Sequence, residues 1–192
     1  MHPVELLNTM KTLLNFDETD VAHLKTMGPL LTASSAEMAE CFYTSLERIE
    51  ECRQIIAAFP DRRAKLQGTL IGWYAGIFSG VYDEAYAAQR WVIGLVHVKV
   101  WIPPQYVVGA IETVYAFSAK KLKAQETALG GDAMPYVESL AKMLSIDLAF
   151  IEQSYAQSMN KALSQEIGTN EALLRRVVES GVSTLLKEIR QE

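Results

Sequence analysis

The sequence contains few of the residues from which metal and disulfide sites are built. Only three histidines and two cysteines occur among 192 residues. Cys41 and Cys52 match no metal-ligand spacing, so we expect two reduced thiols that are at least partly buried. There is no His-Glu-x-x-His signature, no Glu-x-x-His pair and no glycine-rich phosphate loop. No serine nucleophile is paired with a histidine base, and we therefore expect no catalysis by this chain alone.

An excess of positive charge and a long apolar run are lacking as well. The chain has 18 basic and 23 acidic residues, interspersed along its length. Without a basic face to neutralise phosphates, we expect neither DNA nor RNA as a partner. The most apolar run, Trp91 to Ile102, is interrupted by His97 and Lys99 and is too short and too polar to span a bilayer. The N-terminus does not resemble a secretory signal, and we expect a cytoplasmic protein without a membrane segment.

A regular helical pattern is what the sequence does contain. About half of the residues are hydrophobic (49%), and no run of alternating β-branched residues is bounded by turn signals. The pattern predicts one main all-α domain. Turn and capping signals predict five successive helices: from Ser34-Ser35 (either serine as the cap) to Pro60-Asp61, from Asp61 to about Phe78 before Ser79-Gly80, from Asp83-Glu84 to Pro103-Pro104, from there to Gly130-Gly131, and from about Pro135 to Glu166.

A sixth helix follows Gly168-Thr169-Asn170, which we interpret as a cap or hinge. Apolar residues recur along it at helical spacing, at Leu174, Val178, Val182, Leu185 and Ile189. Two interpretations stay open: a linker helix directed toward an output module, which we favour, and a last helix packed on the core. On the favoured interpretation the main domain covers residues 1–167 and the linker covers residues 168–192.

His97 is the one histidine within an apolar helix, because His2 lies at the N-terminus and His23 in a polar segment. A single histidine on an apolar face is more often a satisfied core residue than a metal ligand. The spacing of the histidines therefore does not decide the role of His97. The residues around it have to be considered as well.

The residues around His97 resemble the core of the globin-coupled sensors. That family has an aromatic helix, a Phe-Ser-Gly turn, a Tyr-Asp pair, an arginine, an Ile-Gly step, the iron-binding histidine, a proline turn and an aromatic residue. The corresponding residues here are Trp73, Phe78-Ser79-Gly80, Tyr82-Asp83, Arg90, Ile93-Gly94, His97, Pro103-Pro104 and Tyr106. Upstream, CFYTSL resembles the family's Phe-Tyr pair, and KLQGTLIGW resembles its gas-facing segment. Together the two matches cover about residues 35 to 115.

The resemblance implies a globin fold of the sensor type, with an extra N-terminal helix, that holds haem b through His97. It also implies that the Tyr43 hydroxyl points into the distal pocket, with Thr69 as a second hydroxyl donor. It further implies contacts between the cofactor and five more side chains, those of Phe42, Leu66, Leu70, Trp73 and Trp101. No second histidine lies on the distal helix, so we expect an iron open to O2, CO and NO. A hydroxyl donor favours dioxygen, which draws electron density from iron, more than it favours carbon monoxide.

Some of these residues have plainer interpretations or depart from the family. Tyr43 could be an amphipathic core tyrosine with its hydroxyl at the surface, and Leu66 could be ordinary core. Trp101 stands where many relatives have a glycine, and Val107 where many have a second aromatic residue that could restrain the His97 ring. We expect the packing beside His97 to differ from that of the relatives for this reason.

The resemblance further implies a homodimer and an output module. The helices at 104–125 and 135–166 would pair across a two-fold axis as a four-helix bundle, and the short link from Ile102 to Pro104 would couple the His97 helix to it. Two alternatives remain open. One is a haem-free globin-like scaffold of a stress-signalling assembly, and the other is a stand-alone haem protein that stores or scavenges gas or performs dioxygenase-like chemistry.

Overall fold

The computed structural model describes residues 2–57, 62–166, 168 and 170–189. Within these ranges the regular structure is entirely helical, which confirms the predicted all-α class. The helices are α1 Pro3–Leu13, α2 Glu18–Thr32, α3 Ser35–Leu46, α4 Glu50–Ala57, α5 Arg62–Ile77, α6 Glu84–Lys99, α7 Pro104–Ala124, α8 Met134–Glu166 and α9 Glu171–Ile189, with a 3-10 turn at Glu126–Leu129 between α7 and α8.

The predicted capping and turn residues explain three of the helix ends. The Asp83 carboxylate accepts a hydrogen bond from the Tyr86 backbone N–H at 3.0 Å and starts α6. Gly80, with a φ of 72°, follows the end of α5 in the left-handed conformation that glycine adopts without strain. Pro104 occupies the first turn of α7, where its missing N–H costs nothing. The prediction that α7 continues to the glycine pair is wrong, since α7 ends at Ala124 and the 3-10 turn fills the gap.

The helix predicted from Ser34-Ser35 onward is two helices. Arg48 and Ile49 donate their backbone N–H groups to carbonyls three residues earlier, which tightens the chain into a turn between α3 and α4. Ser34 precedes α3 as predicted, but its side chain makes no capping hydrogen bond. The predicted break at Pro60-Asp61 lies outside the described residues. Periodicity does not reveal the α3–α4 turn because apolar residues continue at helical spacing on both sides of it.

The core is organised around α8. Leu140, Met143, Ile146 and Phe150 are fully buried along this helix, and α6 packs against α8 more extensively than any other pair of helices in the described ranges. The two backbones approach closely at Gly94, where a Cβ atom would collide with the Ser154 side chain. The helix that carries His97 is therefore held directly on α8.

The predictions for the two cysteines and for membrane-spanning helices can also be compared with the structure. Cys41 and Cys52 are free thiols, as predicted, but only Cys52 is buried; the expectation of burial is wrong for Cys41, which is exposed. No helix in the described part of the chain is long and apolar enough to cross a membrane.

Most of the apolar residues of α9 with described side chains are exposed, whereas Leu174 is half-buried. About half of the surface of each of five of them is exposed, namely Leu173, Val177, Val178, Val182 and Leu186. Ile167, Thr169 and the side chains of Leu185 and Ile189 lie outside the described residues. The boundary between residues 167 and 168 and the linker role of α9 remain predictions.

Candidate functional site

A cavity of about 430 Å³ lies among α3, α4, α5, α6 and α7, with Ile151 of α8 also on its wall. Its walls are almost wholly apolar. The polar side chains on the wall are few, namely Tyr43, Cys52, Thr69, Trp73, His97 and Tyr106. A large apolar cavity with a few polar groups is the usual form of a cofactor site.

The structure brings seven of the eight residues predicted to contact the cofactor to this one cavity. The seven are Phe42, Tyr43, Leu66, Thr69, Leu70, Trp73 and His97. Sequence reasoning missed the contribution of α4, whose Cys52, Ile55 and Ile56 also line the cavity. Their spacing is that of one face of a short helix, which was the available signal, but it does not show what that face covers.

His97 lies on the cavity wall near the C-terminal end of α6. Its Nδ1 is 2.8 Å from the carbonyl oxygen of Ile93, one helical turn earlier. This contact favours the tautomer in which Nδ1 carries the proton, leaving the Nε2 lone pair available. Nε2 has no hydrogen-bond partner among the described residues. Burial lowers the pKa of the imidazole, and the hydrogen bond to Ile93 opposes this shift. A neutral, oriented imidazole is the form that binds a metal ion.

The α6 helix is closed by a cap that uses the backbone of His97. The Ile102 N–H donates to the His97 carbonyl oxygen at 3.2 Å, and the Trp101 N–H donates to that of Val98 at 3.0 Å. This pair of hydrogen bonds is the Schellman motif, which requires a left-handed residue after the helix end. Trp101 occupies that position with a φ of 56°.

The placement of Trp101 differs from the prediction that it contacts the cofactor. Its side chain is 79% exposed and does not line the cavity. Trp101 adopts a backbone conformation that only glycine adopts without strain. Val107, in contrast, is buried and lines the cavity.

The two hydroxyl groups predicted on the distal side differ in their availability. Tyr43 is buried, and burial raises the pKa of its phenol to about 12, so it is a neutral O–H group at physiological pH. Its hydroxyl makes no hydrogen bond to any described residue. The Thr69 hydroxyl already donates to the backbone carbonyl of Lys65 at 3.0 Å. Tyr43 is therefore the hydroxyl that is available to donate to a ligand in the cavity.

The α4 helix is tied across the cavity to α7. The Tyr106 hydroxyl donates to Glu51 Oε2 at 2.8 Å. Cys52, Ile55 and Ile56 of the same helix line the cavity. Tyr106 is the aromatic residue that follows the proline turn in the matched motif, and the structure gives it this contact.

The side chains present fit a metal that arrives with most of its own ligands. No group of three or more His, Cys, Asp or Glu side chains that could hold a bare ion occurs in the described ranges. A single histidine in an apolar cavity is sufficient for haem, because the porphyrin supplies the other nitrogen ligands and seeks an apolar surrounding. His97 would bind the iron, and the apolar residues of α4, α5 and α7 would surround the macrocycle.

Comparisons with known proteins agree with this geometry. The family model described as Protoglobin matches residues 5–161. The heme-based aerotactic transducer HemAT of Halobacterium salinarum is 28% identical over 180 residues, which are 88% of this chain and 37% of the transducer. The chain thus spans little more than a third of that relative. The globin domain of a Geobacter sulfurreducens globin-coupled sensor is 26% identical, with a TM-score of 0.71 over 77% of this chain and 96% of that domain. The structural match confirms the predicted globin fold.

Proposed function

Because the chain belongs to the protoglobin family, we propose that it is a haem-based gas sensor domain that binds dioxygen reversibly at an iron held by His97. The observation that carries the proposal is the state of the His97 side chain. Nδ1 contacts the Ile93 carbonyl oxygen, and Nε2 is left without a protein partner in an apolar cavity. An imidazole nitrogen that faces an apolar cavity without a protein partner keeps its lone pair available to coordinate a metal.

Haem b, when bound, supplies an iron that holds a diatomic gas. Dioxygen is more polar than carbon monoxide in such a complex and gains more from a hydroxyl donor. Tyr43 supplies the donor, because its hydroxyl is otherwise unpaired and stays protonated. Thr69 is a second candidate, but its hydroxyl has to leave the Lys65 carbonyl before it can donate elsewhere.

The apolar walls would keep water away from the bound gas. Ile55 and Ile56 of α4 and Leu66 and Leu70 of α5 all line the cavity. With water excluded, a hydrogen bond from Tyr43 is stronger than it would be in solvent. The same residues favour O2, CO and NO over larger or charged ligands.

Signalling would require a second copy of the chain and an output module. We propose, as the resemblance implies, a homodimer through α7 and α8, a cytoplasmic location and no catalytic activity of this domain itself. The exposed apolar residues of α9 support a helix that continues toward another module rather than one that completes this core. The heme-based aerotactic transducer that resembles this chain is named for such a signalling role.

Absorption spectroscopy of the purified protein supplied with haem tests the proposal. We expect an intense band near the blue edge of the visible spectrum, its loss or displacement in His97→Ala, and no change in His23→Ala. His23 is a matched control because its ring contacts Ser139 and Tyr136, away from the cavity. A wild-type protein that stays colourless with haem would reject the proposal in favour of the haem-free scaffold.

A further inference from the structure

A buried polar cluster lies directly behind the cavity wall and is centred on Asp147 of α8. The Asp147 side chain is 1% exposed. The Trp73 indole N–H donates to its Oδ2 at 2.8 Å, and the Tyr86 hydroxyl donates to its Oδ1 at 2.6 Å. The Arg90 Nε lies 2.9 Å from Oδ2 and forms an ion pair. Both oxygens of one carboxylate are thus shared among donors from α5 and α6.

Arg90 and Asp147 both bind Trp73: Arg90 at the main chain and Asp147 at the indole ring. Its Nη2 donates to the Trp73 carbonyl oxygen at 3.2 Å, and the absence of a side chain at Gly76 leaves room for the guanidinium group. The Arg90 Cζ lies 4.4 Å from the centroid of the Tyr86 ring. Trp73 is therefore held at its backbone by Arg90 and at its indole ring by Asp147.

This arrangement joins two walls of the cavity to one helix. Trp73 lines the cavity from α5, where Leu66, Thr69 and Leu70 also lie. Arg90 precedes His97 by two helical turns on α6, so a displacement of Arg90 along the helix displaces His97 as well. Trp73 and Arg90 both contact Asp147 on α8. A change at this carboxylate would alter the position of α5 relative to α6.

We infer that Asp147 is a positioning residue that fixes the wall containing Trp73 relative to the His97 helix and so sets the shape of the haem cavity. The inference rests on the proposed function for the identity of the ligand. A buried ion pair alone is weak evidence for a stabilising role, because apolar residues of similar size often pack as stably. Two hydrogen bonds and an ion pair on one carboxylate instead specify a single arrangement of the three helices.

Asp147→Asn is the sharpest test, because it keeps the shape and removes the charge. The amide has one acceptor oxygen, one donor nitrogen and no charge, so it cannot accept from Trp73 and Tyr86 on two separate atoms or form the ion pair with Arg90. Asp20→Asn is the matched control. Asp20 is also buried, and it is bound by two residues of α8, Ser139 at 2.8 Å and Lys142 at 2.9 Å, away from the cavity.

Two measurements separate positioning from stability alone. The first is the rate of haem loss to an excess of a haem-free acceptor globin, which we expect to rise about tenfold in Asp147→Asn and to stay near the wild-type rate in Asp20→Asn. The second is the iron–histidine stretching band in the resonance Raman spectrum, which we expect to shift only in Asp147→Asn. Equal haem loss and unshifted bands in two folded variants would overturn the inference while leaving the proposed function intact.

Trp73→Phe provides the test if Asp147→Asn does not fold. It removes the indole donor and keeps an aromatic ring, and Trp91→Phe on α6 is its control because Trp91 does not line the cavity. We expect about threefold faster haem loss in Trp73→Phe alone. Identical rates in the two variants would reject the role of the Asp147 contact. In haem-free protein, slow solvent exchange of the Trp73 indole proton in the wild type supports the contact, and fast exchange contradicts it.

Discussion

The imidazole of His97 is oriented by the backbone carbonyl of Ile93, at 2.8 Å from Nδ1, and not by another side chain. Relatives that carry an aromatic residue at the position of Val107 have a second group available for that purpose. Here Val107 is an apolar residue on the cavity wall and has no group that could bind the ring. Because a helix carbonyl moves with its own helix, the ring orientation of His97 reports the position of α6 itself. This relationship makes α6 and its contacts the part of the fold on which the behaviour of the site depends.

The first prediction concerns dioxygen release. Among the described residues on the cavity wall, Tyr43 has the one hydroxyl without a hydrogen-bond partner. Tyr43→Phe removes it and should raise the dissociation rate of dioxygen about tenfold to a hundredfold, the value of one hydrogen bond to a partly charged ligand. Thr69→Ala should have a smaller effect, since the Thr69 hydroxyl already donates to Lys65. Stopped-flow displacement by carbon monoxide measures both rates. A large effect of Thr69→Ala beside an unchanged Tyr43→Phe would reassign the donor.

Stability at alkaline pH should also depend on Tyr43. The pKa of this tyrosine is about 12 in the folded chain and near 10 when it is exposed. The unfolded chain therefore loses the phenolic proton first as the pH rises, and the free energy of unfolding falls from about pH 10 upward. In Tyr43→Phe this loss should be smaller. Denaturant unfolding of the haem-free protein at pH 8 and above pH 10 measures the difference, and parallel pH profiles for the two proteins would contradict it.

The sequence allowed prediction of the chemistry on single helices but not of contacts between distant ones. The motif around His97 predicted the ligand, and local capping and proline signals predicted the helix ends at Asp83 and Pro104. It could not predict the contact of Asp147 with Trp73, since helical periodicity does not say which buried carboxylate meets which donor. The cavity residues of α4 were missed for the same reason.

Trp101 illustrates the opposite error, in which a residue was assigned to the pocket because of its place in the motif. Its backbone is left-handed, so its ring points to solvent. We expect Trp101→Gly to be more stable than Trp101→Ala by about 1 kcal/mol, because only glycine adopts this conformation without strain. Both variants lose the exposed ring, and the comparison isolates the backbone. Urea unfolding measures the difference; equal midpoints would show that the cap is not strained.

The tie between α4 and α7 gives a further prediction. Tyr106→Phe removes the hydrogen bond to Glu51 and should loosen α4 without unfolding the core, because this contact is exposed and lies at the edge of the fold. The expected result is faster amide hydrogen exchange confined to Glu50–Ala57. Tyr115→Phe, on the same helix α7, is the control. Unchanged exchange in α4 would mean that apolar contacts alone hold it over the cavity.

The last prediction concerns the route from the site to the bundle helices. The link from Ile102 to Pro104 joins α6 to α7, as the sequence indicated, and in the structure the Tyr155 hydroxyl of α8 also donates to the Ile102 carbonyl oxygen. A displacement of α6 would therefore reach α8 at Tyr155 as well as α7 through the chain. We expect the dioxygen-loaded and gas-free proteins to differ in amide exchange in both helices.

Tyr155→Phe should weaken this difference in α8 while preserving it in α7, by an amount within the about 0.5–2 kcal/mol that single residues contribute to coupling. Tyr136→Phe makes the same chemical change on α8 beside His23, away from the link, and should leave the difference intact. If the two variants behave alike, α8 receives the displacement through its packing on α6 at Gly94 and not through Tyr155. If neither helix changes exchange in the wild type, the gas does not bias this part of the fold, because a ligand that binds two conformations equally shifts neither.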